Sequence, residues 1–383
     1  MTLPELLSNE ELRRREFPVA RDKIFLAHAG VCPLPRRVSE AIRDYASRCA
    51  QGDQETLLPA LQMRHSRDLA GRLLKARPEE IAFVGPTSLA LSFVAAGLPW
   101  KRNDNILIYF DDYPANVYPW MALAQRGVEV RFLNAPEPGC IRPRDVLGQV
   151  DEQTRLVALA SCHFVSGYRI DLNAIGQALH QRDILFCVDG IQTLGAFPTT
   201  VEHVDFLAAD AHKWLLGPCA AGILYVRASV QEQLRPTVFG WHNVRCPDYL
   251  AQEELVLQTD ARRYEAGTQN LLGLVGLHAA LALLAEIGID NIAAELLRKR
   301  ALLIPALKDQ GYTVLHADVP AANASGIVTF YRDGTDMAAL CEKLEAAGII
   351  VSLRTDRSGR KYIRFSPHFY NTDAELSRTI EIL

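Results

Sequence analysis

Asp210-Ala211-His212-Lys213-Trp214-Leu215-Leu216-Gly217-Pro218-Cys219 sets one lysine behind a histidine and ahead of a turn made by Gly217 and Pro218. Upstream, the apolar run from Ile184 to Val188 ends in the carboxylate of Asp189, with Gln192 just beyond it. A lysine that forms a Schiff base must first lose its proton, and a crowded, partly desolvated site favours that loss. A pyridine nitrogen that serves as an electron sink needs a carboxylate partner. Lys213 and Asp189 supply both, so the pair points to pyridoxal phosphate. Taken alone, the same residues also describe a solvated loop lysine and a helix-capping aspartate, and the choice between the two rests on what surrounds them.

Working outward, short apolar runs alternate with helical patterns. Strands are expected at Ile81 to Val84, Asn105 to Tyr109, Val128 to Leu133, Leu156 to Ala160, Ile184 to Val188, Phe206 to Ala208 and Ala221 to Val226, with helices from about Ser88, Val117 and Leu172. Fully apolar strands separated by helices indicate a mostly parallel sheet covered on both faces. Ligands of such sheets sit at the carboxyl ends of the strands, where Thr87, Asp112, Tyr113, His163, Asp189 and Lys213 fall. A helical stretch from about Asn270 to Gln310, with a break at Gly311 and Tyr312, leads into a second, smaller α/β unit. It has strands near Tyr312 to Leu315, Ser325 to Tyr331 and Tyr362 to Phe365, and helices near Met337 to Ala347 and Asp373 to Ile382. The expected division is an N-terminal segment over residues 1–28 that packs with the small domain, a large domain over 29–275 and a small C-terminal domain over 276–383.

With 49% hydrophobic and 22% charged residues, a chain of 383 residues can bury two cores, which excludes low-complexity disorder. A net charge of −4 provides no basic field for nucleic acid or an anionic membrane. The eight cysteines lack CxxC or Cys/His metal spacing and lie too far apart for a disulfide scaffold, so no metal is expected and a reducing cytoplasm fits. The N-terminal MTLPELLSNEELRRREF has no apolar core of the kind a signal peptide or anchor needs.

Gly85-Pro86-Thr87-Ser88 follows a strand and opens a helix, so free N–H groups, two hydroxyls and the positive helix end converge where a phosphate would sit; a simple helix cap is the alternative. Tyr113, in Asp111-Asp112-Tyr113-Pro114-Ala115-Asn116, offers a ring for stacking on a flat heterocycle or for loop packing. Arg364, ahead of Ser366-Pro367-His368, can hold a carboxylate in bidentate fashion or make a structural ion pair.

Together these motifs resemble the class V aminotransferases, a family of fold type I pyridoxal phosphate enzymes that includes cysteine desulfurases, selenocysteine lyases, kynureninase and isopenicillin N epimerase. The likeness spans roughly residues 22–383. It implies an α/β fold with a large domain around a mostly parallel seven-stranded-type sheet and a smaller C-terminal α/β domain. VDGIQ at 188–192 resembles the element whose aspartate binds the pyridine nitrogen and whose glutamine, Gln192, approaches the ring hydroxyl. HKW at 212–214 resembles the Schiff-base lysine with its preceding histidine near phosphate. The resemblance assigns Thr87, Ser88, His212 and Thr268 to the cofactor phosphate and Arg364 to the amino-acid substrate. Tyr113 falls at the ring-stacking position, often histidine in desulfurases, and Asp210, where they often have a hydroxyl residue, would put a carboxylate near the phosphate unless it turns away; His28 is expected at the substrate. RYEAGTQN at 263–270 resembles a segment whose threonine reaches the neighbouring subunit's phosphate, which implies a homodimer with shared active sites.

The departures bear on the reaction. Desulfurases carry a nucleophilic cysteine on a loop before the arginine, and here that stretch is RTDRSGRKYIR. Cys219 is the only thiol placed near the cofactor by sequence, and it reads more readily as a small packed residue. Tyr113 and the wording HKWLLGP stand closer to the epimerase-like branch. The expectation is therefore aminotransfer first, with C–S β-elimination of the desulfurase type or epimerisation as alternatives. A non-catalytic, cofactor-binding regulator is the rival from another class.

Overall fold

The computed structural model describes all 383 residues. Seven strands form the large sheet: β1 (Ile81–Val84), β2 (Asn105–Ile108), β3 (Glu129–Phe132), β4 (Thr154–Ala160), β5 (Leu185–Asp189), β6 (Phe206–Ala209) and β7 (Gly222–Val226), in the order β1-β7-β6-β5-β4-β2-β3. Only β7 runs antiparallel to its neighbours. Along each central strand the side chains alternate between two buried clusters. Val157, Leu159, Phe186 and Val188 enter one, while Leu156, Ala158, Leu185 and Cys187 enter the other. This period of two, apolar on both faces, is why the strands read as continuous hydrophobic runs.

The order puts β5 at the centre of the sheet, with Asp189 as its last residue. The loop from β6 to β7 carries Lys213. A second core gathers Leu26, Leu303, Leu307, Phe330, Ile363 and Phe365 around a four-stranded sheet of β8 (Thr313–Val314), β9 (Val328–Tyr331), β10 (Ser352–Thr355) and β11 (Lys361–Phe365). The N-terminal segment joins this unit, since Ile24–Phe25 pairs in parallel with Ile349–Ile350.

Several elements differ from expectation. The helical stretch after Asn270 is two helices, Leu271–Ile287 and Ile289–Asp309, bent by 77° at Gly288. Gly288 adopts φ 88°, a left-handed conformation that costs glycine little and ends a helix. The apolar pattern continues through it and hides the break. The helix expected from Val117 is a single turn, Tyr118–Met121, followed by a 3₁₀ segment, Ala122–Arg126. β10 was not expected from the sequence. No single helix is long and apolar enough to cross a membrane.

Candidate active site

The loop that carries Lys213 is organised on one carboxylate. Asp210 Oδ1 accepts from the N–H groups of Ala211 at 2.8 Å and Ala221 at 3.0 Å, and Oδ2 accepts from Ala220 N–H at 3.0 Å. Its own N–H donates to Thr87 Oγ1 at 3.0 Å, which ties the loop to the start of helix Thr87–Gly97. Leu216 and Ala220 take positive φ of 57° and 56° to close the turn, conformations that branched or bulky residues adopt only where surrounding bonds enforce them. Gly195 allows the loop to close onto the β5 side, because a Cβ there would meet Trp214 O at 2.6 Å.

Held this way, Lys213 enters a cavity of about 270 Å³ shared with Thr87, Ser88, Tyr113, Asp189, Gln192, His212, Arg354 and Arg364. Its ammonium lies 5.3 Å from the centre of the Tyr113 ring. Burial pulls the Lys213 pKa down to about 8, against the pull of Asp189 in the other direction. Asp189 is itself buried, which raises its pKa, while the Ile191 N–H bond to Oδ1 at 3.0 Å and the charge of Lys213 oppose that rise.

Gln192 is fixed by two one-way partners. The Trp214 indole N–H donates to Oε1 at 2.9 Å, and Nε2 donates to Ala29 O at 3.1 Å. An indole nitrogen only donates and a carbonyl only accepts, so the amide orientation is determined and one Nε2–H remains for the cavity. At the helix start, Pro86 O accepts from Leu89 and Ala90, which leaves the N–H groups of Thr87 and Ser88 without a backbone acceptor. His212 gives Nδ1 to Asp210 Oδ2 at 2.8 Å, and its Nε2 has no partner in the fold.

Across the cavity stand two guanidinium groups. Arg364 on β11 is fully buried; it donates to Phe164 O at 2.5 Å and Ser352 Oγ at 3.3 Å, and its Nε has no partner. Arg354 on β10 makes no hydrogen bond, and its Nε is likewise orphaned. The Nη2 atoms of both lie 3.8 Å from where a Gly30 Cβ would stand, so the two charges converge beside Gly30. Burial and then the Arg354 charge work against the cationic form of Arg364. A guanidinium does not shed its proton in proteins, so the strain is relieved only by an anion.

Three residues expected at the site lie outside this cavity. His28 is fully buried away from the cavity, with Nδ1 on Ser366 O at 2.9 Å and Nε2 on the Tyr370 hydroxyl at 2.7 Å. Burial drives its pKa to about 3, and the following Ala29 and Gly30 line the cavity in its place. Asp210 does not line the cavity either; four donors, among them His212 Nδ1, saturate its carboxylate. Thr268 sits in a separate cavity with Arg64, Arg67 and Trp241, its hydroxyl on Glu55 Oε1 at 3.0 Å. Arg354 is the site residue that sequence reasoning missed. The register Ser352↔Arg364 and Arg354↔Tyr362 puts both arginines on one face of the hairpin, a signal available only once β10 is recognised.

The fold and the site, a central strand ending in a buried carboxylate beside a buried lysine, define an α/β enzyme of fold type I, the pyridoxal phosphate class. The class-V aminotransferase family model matches residues 24–379, and the chain belongs to that family. It is 30% identical over 390 residues to a probable cysteine desulfurase of Methanothermobacter thermautotrophicus, covering 97% of this chain and 96% of that one. It is 27% identical over 380 residues to the uncharacterized aminotransferase YcbU of Bacillus subtilis, with 97% and 96% covered. Among solved structures, the cysteine desulfurase of Thermococcus onnurineus superposes with a TM-score of 0.88 at 23% identity over 97% of this chain and 96% of that one. The cystine C–S lyase C-DES, solved with its product cysteine persulfide, gives 0.86 at 22% identity over 95% and 98%. The cofactor is pyridoxal phosphate. The unpaired donors at Thr87, Ser88 and His212, the buried Asp189 and the depressed Lys213 fit it.

Proposed function

We propose that this protein is a C–S lyase that removes sulfur from cysteine or cystine by β-elimination. The observation that carries the reading is the pair of anion-free guanidinium groups opposite Lys213 in a cavity that no cysteine lines. Such a site binds a carboxylate-bearing substrate and leaves the departing sulfur without a protein nucleophile. Relatives named as cysteine desulfurases, and a structural neighbour named as a cystine C–S lyase, support cleavage of a C–S bond over the aminotransfer expected first, and the lack of a cysteine in the cavity favours elimination.

When bound, pyridoxal phosphate supplies an electron sink for bonds at the substrate Cα. The free N–H groups of Thr87 and Ser88, with His212 Nε2, would hold its phosphate, and Gln192 Nε2–H would donate to the ring hydroxyl. Asp189 would keep the pyridine nitrogen protonated, and Tyr113 would cover the ring. Arg364 would fix the α-carboxylate, and Lys213 would move the Cα proton because its lowered pKa leaves a neutral amine available near neutral pH. Cystine and water then give cysteine persulfide, pyruvate and ammonia. We further propose a homodimer in which Thr268 reaches the partner's phosphate. The exposed Phe239, Trp241, Tyr249 and Leu250, on the segment leading to Thr268, support it.

The test is incubation of the holoenzyme with L-cysteine, L-cystine and other amino acids, with and without a 2-oxo acid, while following pyruvate, sulfide and persulfide. Pyruvate with sulfide or persulfide is expected. Amino transfer to the oxo acid without sulfur release would return aminotransfer to first place, and sedimentation of an active monomer would remove the dimer.

A further inference from the structure

The hairpin between β10 and β11 carries both arginines and occupies the stretch where the resemblance leads one to expect a thiol. It is not a slack loop. Asp356 Oδ1 accepts from Ser358 N–H at 2.9 Å, Ser358 Oγ at 2.6 Å and Arg360 N–H at 3.0 Å, and Oδ2 accepts from the Tyr362 hydroxyl at 2.7 Å. Gly359 takes φ 84° to close the turn. A turn saturated in this way aims Arg357 at the loop that follows β2. There the guanidinium pairs with the Asp111 carboxylate, donates to Phe110 O at 2.8 Å, and lies 3.9 Å over the Phe110 ring.

Asp111 is two residues from Tyr113. On the hairpin side, Arg354 is three residues from Arg357 and has no hydrogen bond of its own. Arg364 is anchored on Phe164 O, but Arg354 is placed only by the hairpin backbone. We infer that Arg357 is a positioning residue, a latch between the β10–β11 hairpin and the loop after β2 that holds Arg354 in the cavity it lines with Tyr113. An exposed ion pair alone contributes little. The planar stack on Phe110 and the bond to its carbonyl make this contact specific to arginine.

The inference rests on the reading that Arg354 meets substrate, so its test has one arm that does not depend on that reading. In holoenzyme, Arg357→Ala should raise hydrogen exchange at residues 355–361 by about tenfold, as expected for a locally opened segment, without change at β5. In turnover of L-cystine the same variant should raise KM on the order of tenfold while kcat stays within about twofold, because the contact positions substrate and does not touch the reacting atoms. Arg357→Lys, which keeps the charge and loses the stack, should fall between. Unchanged exchange in Arg357→Ala overturns the latch whatever the substrate is. Faster exchange with unchanged KM leaves Arg357 a structural clip and overturns the positioning role. If L-cystine does not turn over, exchange alone decides the latch, and the failure belongs to the proposed reaction.

Discussion

The wall of the cavity that carries Asp189 and Lys213 is held by backbone bonds within one sheet. The opposite wall, with Arg354 and Arg364, hangs from a hairpin that reaches the site across the boundary between two cores. On the first wall the lysine and its aspartate are placed by the sheet and the loop: β5 ends in Asp189, and Asp210 gathers the backbone of the loop that carries Lys213. On the second, Arg364 has two acceptors and an orphaned Nε, and Arg354 has none. The first arrangement suits a cofactor whose geometry must not vary. The second suits recognition of a substrate, although the charges of Arg364 and Arg354 also help hold the Lys213 pKa down. Variants on the two walls should therefore separate chemistry from affinity.

The largest effect is expected at Lys213. Lys213→Ala should abolish the borohydride-sensitive visible band of the holoenzyme and slow turnover by at least on the order of 10²–10⁴-fold, the usual contribution of a general acid–base group. In wild type, cofactor attachment to the emptied protein should accelerate as pH rises and level off above about 8, where the buried amine has lost its proton. The sign follows from the direction of the shift: burial lowers the pKa, so the reactive neutral form appears at lower pH than for an exposed lysine. A rate still climbing through pH 10 would show that the amine is not desolvated.

Next is Asp189→Asn, which should retain cofactor and lose on the order of a hundredfold in turnover, as for removal of a principal electrostatic contributor. Near-normal rates would mean that the reaction proceeds without a protonated ring nitrogen, and the first wall would lose its assigned purpose. Arg364→Lys tests the second wall. It keeps the charge and removes the planar fork, so apparent substrate affinity should weaken by roughly 1–3 kcal/mol while the visible spectrum is unchanged. A spectral change would show that the two walls are coupled.

The same division explains what the sequence discloses. Lys213, Asp189 and Thr87 are legible because a strand followed by a polar residue places that residue at the sheet edge whatever the rest of the chain does. Arg354 is not, since its position follows from the pairing of β10 with β11. His28 misleads for a related reason. It is expected at the substrate, yet Tyr370, at the other end of the chain, takes its Nε2. Asp210 turns away because residues 220 and 221 fold back onto it, a contact made by the tertiary turn and absent from any local pattern. Local chemistry thus brings Lys213, Asp189 and Thr87 to one wall of the cavity, while long-range pairing builds the other.

The smallest effect is expected at Cys219, which decides whether either wall needs a thiol. Cys219 is exposed and does not line the cavity, although it follows Lys213 by six residues. Cys32, whose loop does line the cavity, is buried, and burial pushes its thiol up to about 12, far from the thiolate that attacks sulfur. Between Arg354 and Arg364, where the resemblance to desulfurases calls for a nucleophile, the hairpin offers only Asp356, Arg357 and Ser358 at its turn. Cys219→Ser should therefore keep most of the activity, with a stability change within about 0.5 kcal/mol, as usual for a surface substitution. The measurement is pyruvate and persulfide release from L-cystine by wild type and variant in parallel, with cofactor content checked by absorbance. If the serine variant binds cofactor normally but releases no sulfur, Cys219 carries it, and the elimination proposed here gives way to a persulfide relay through the protein.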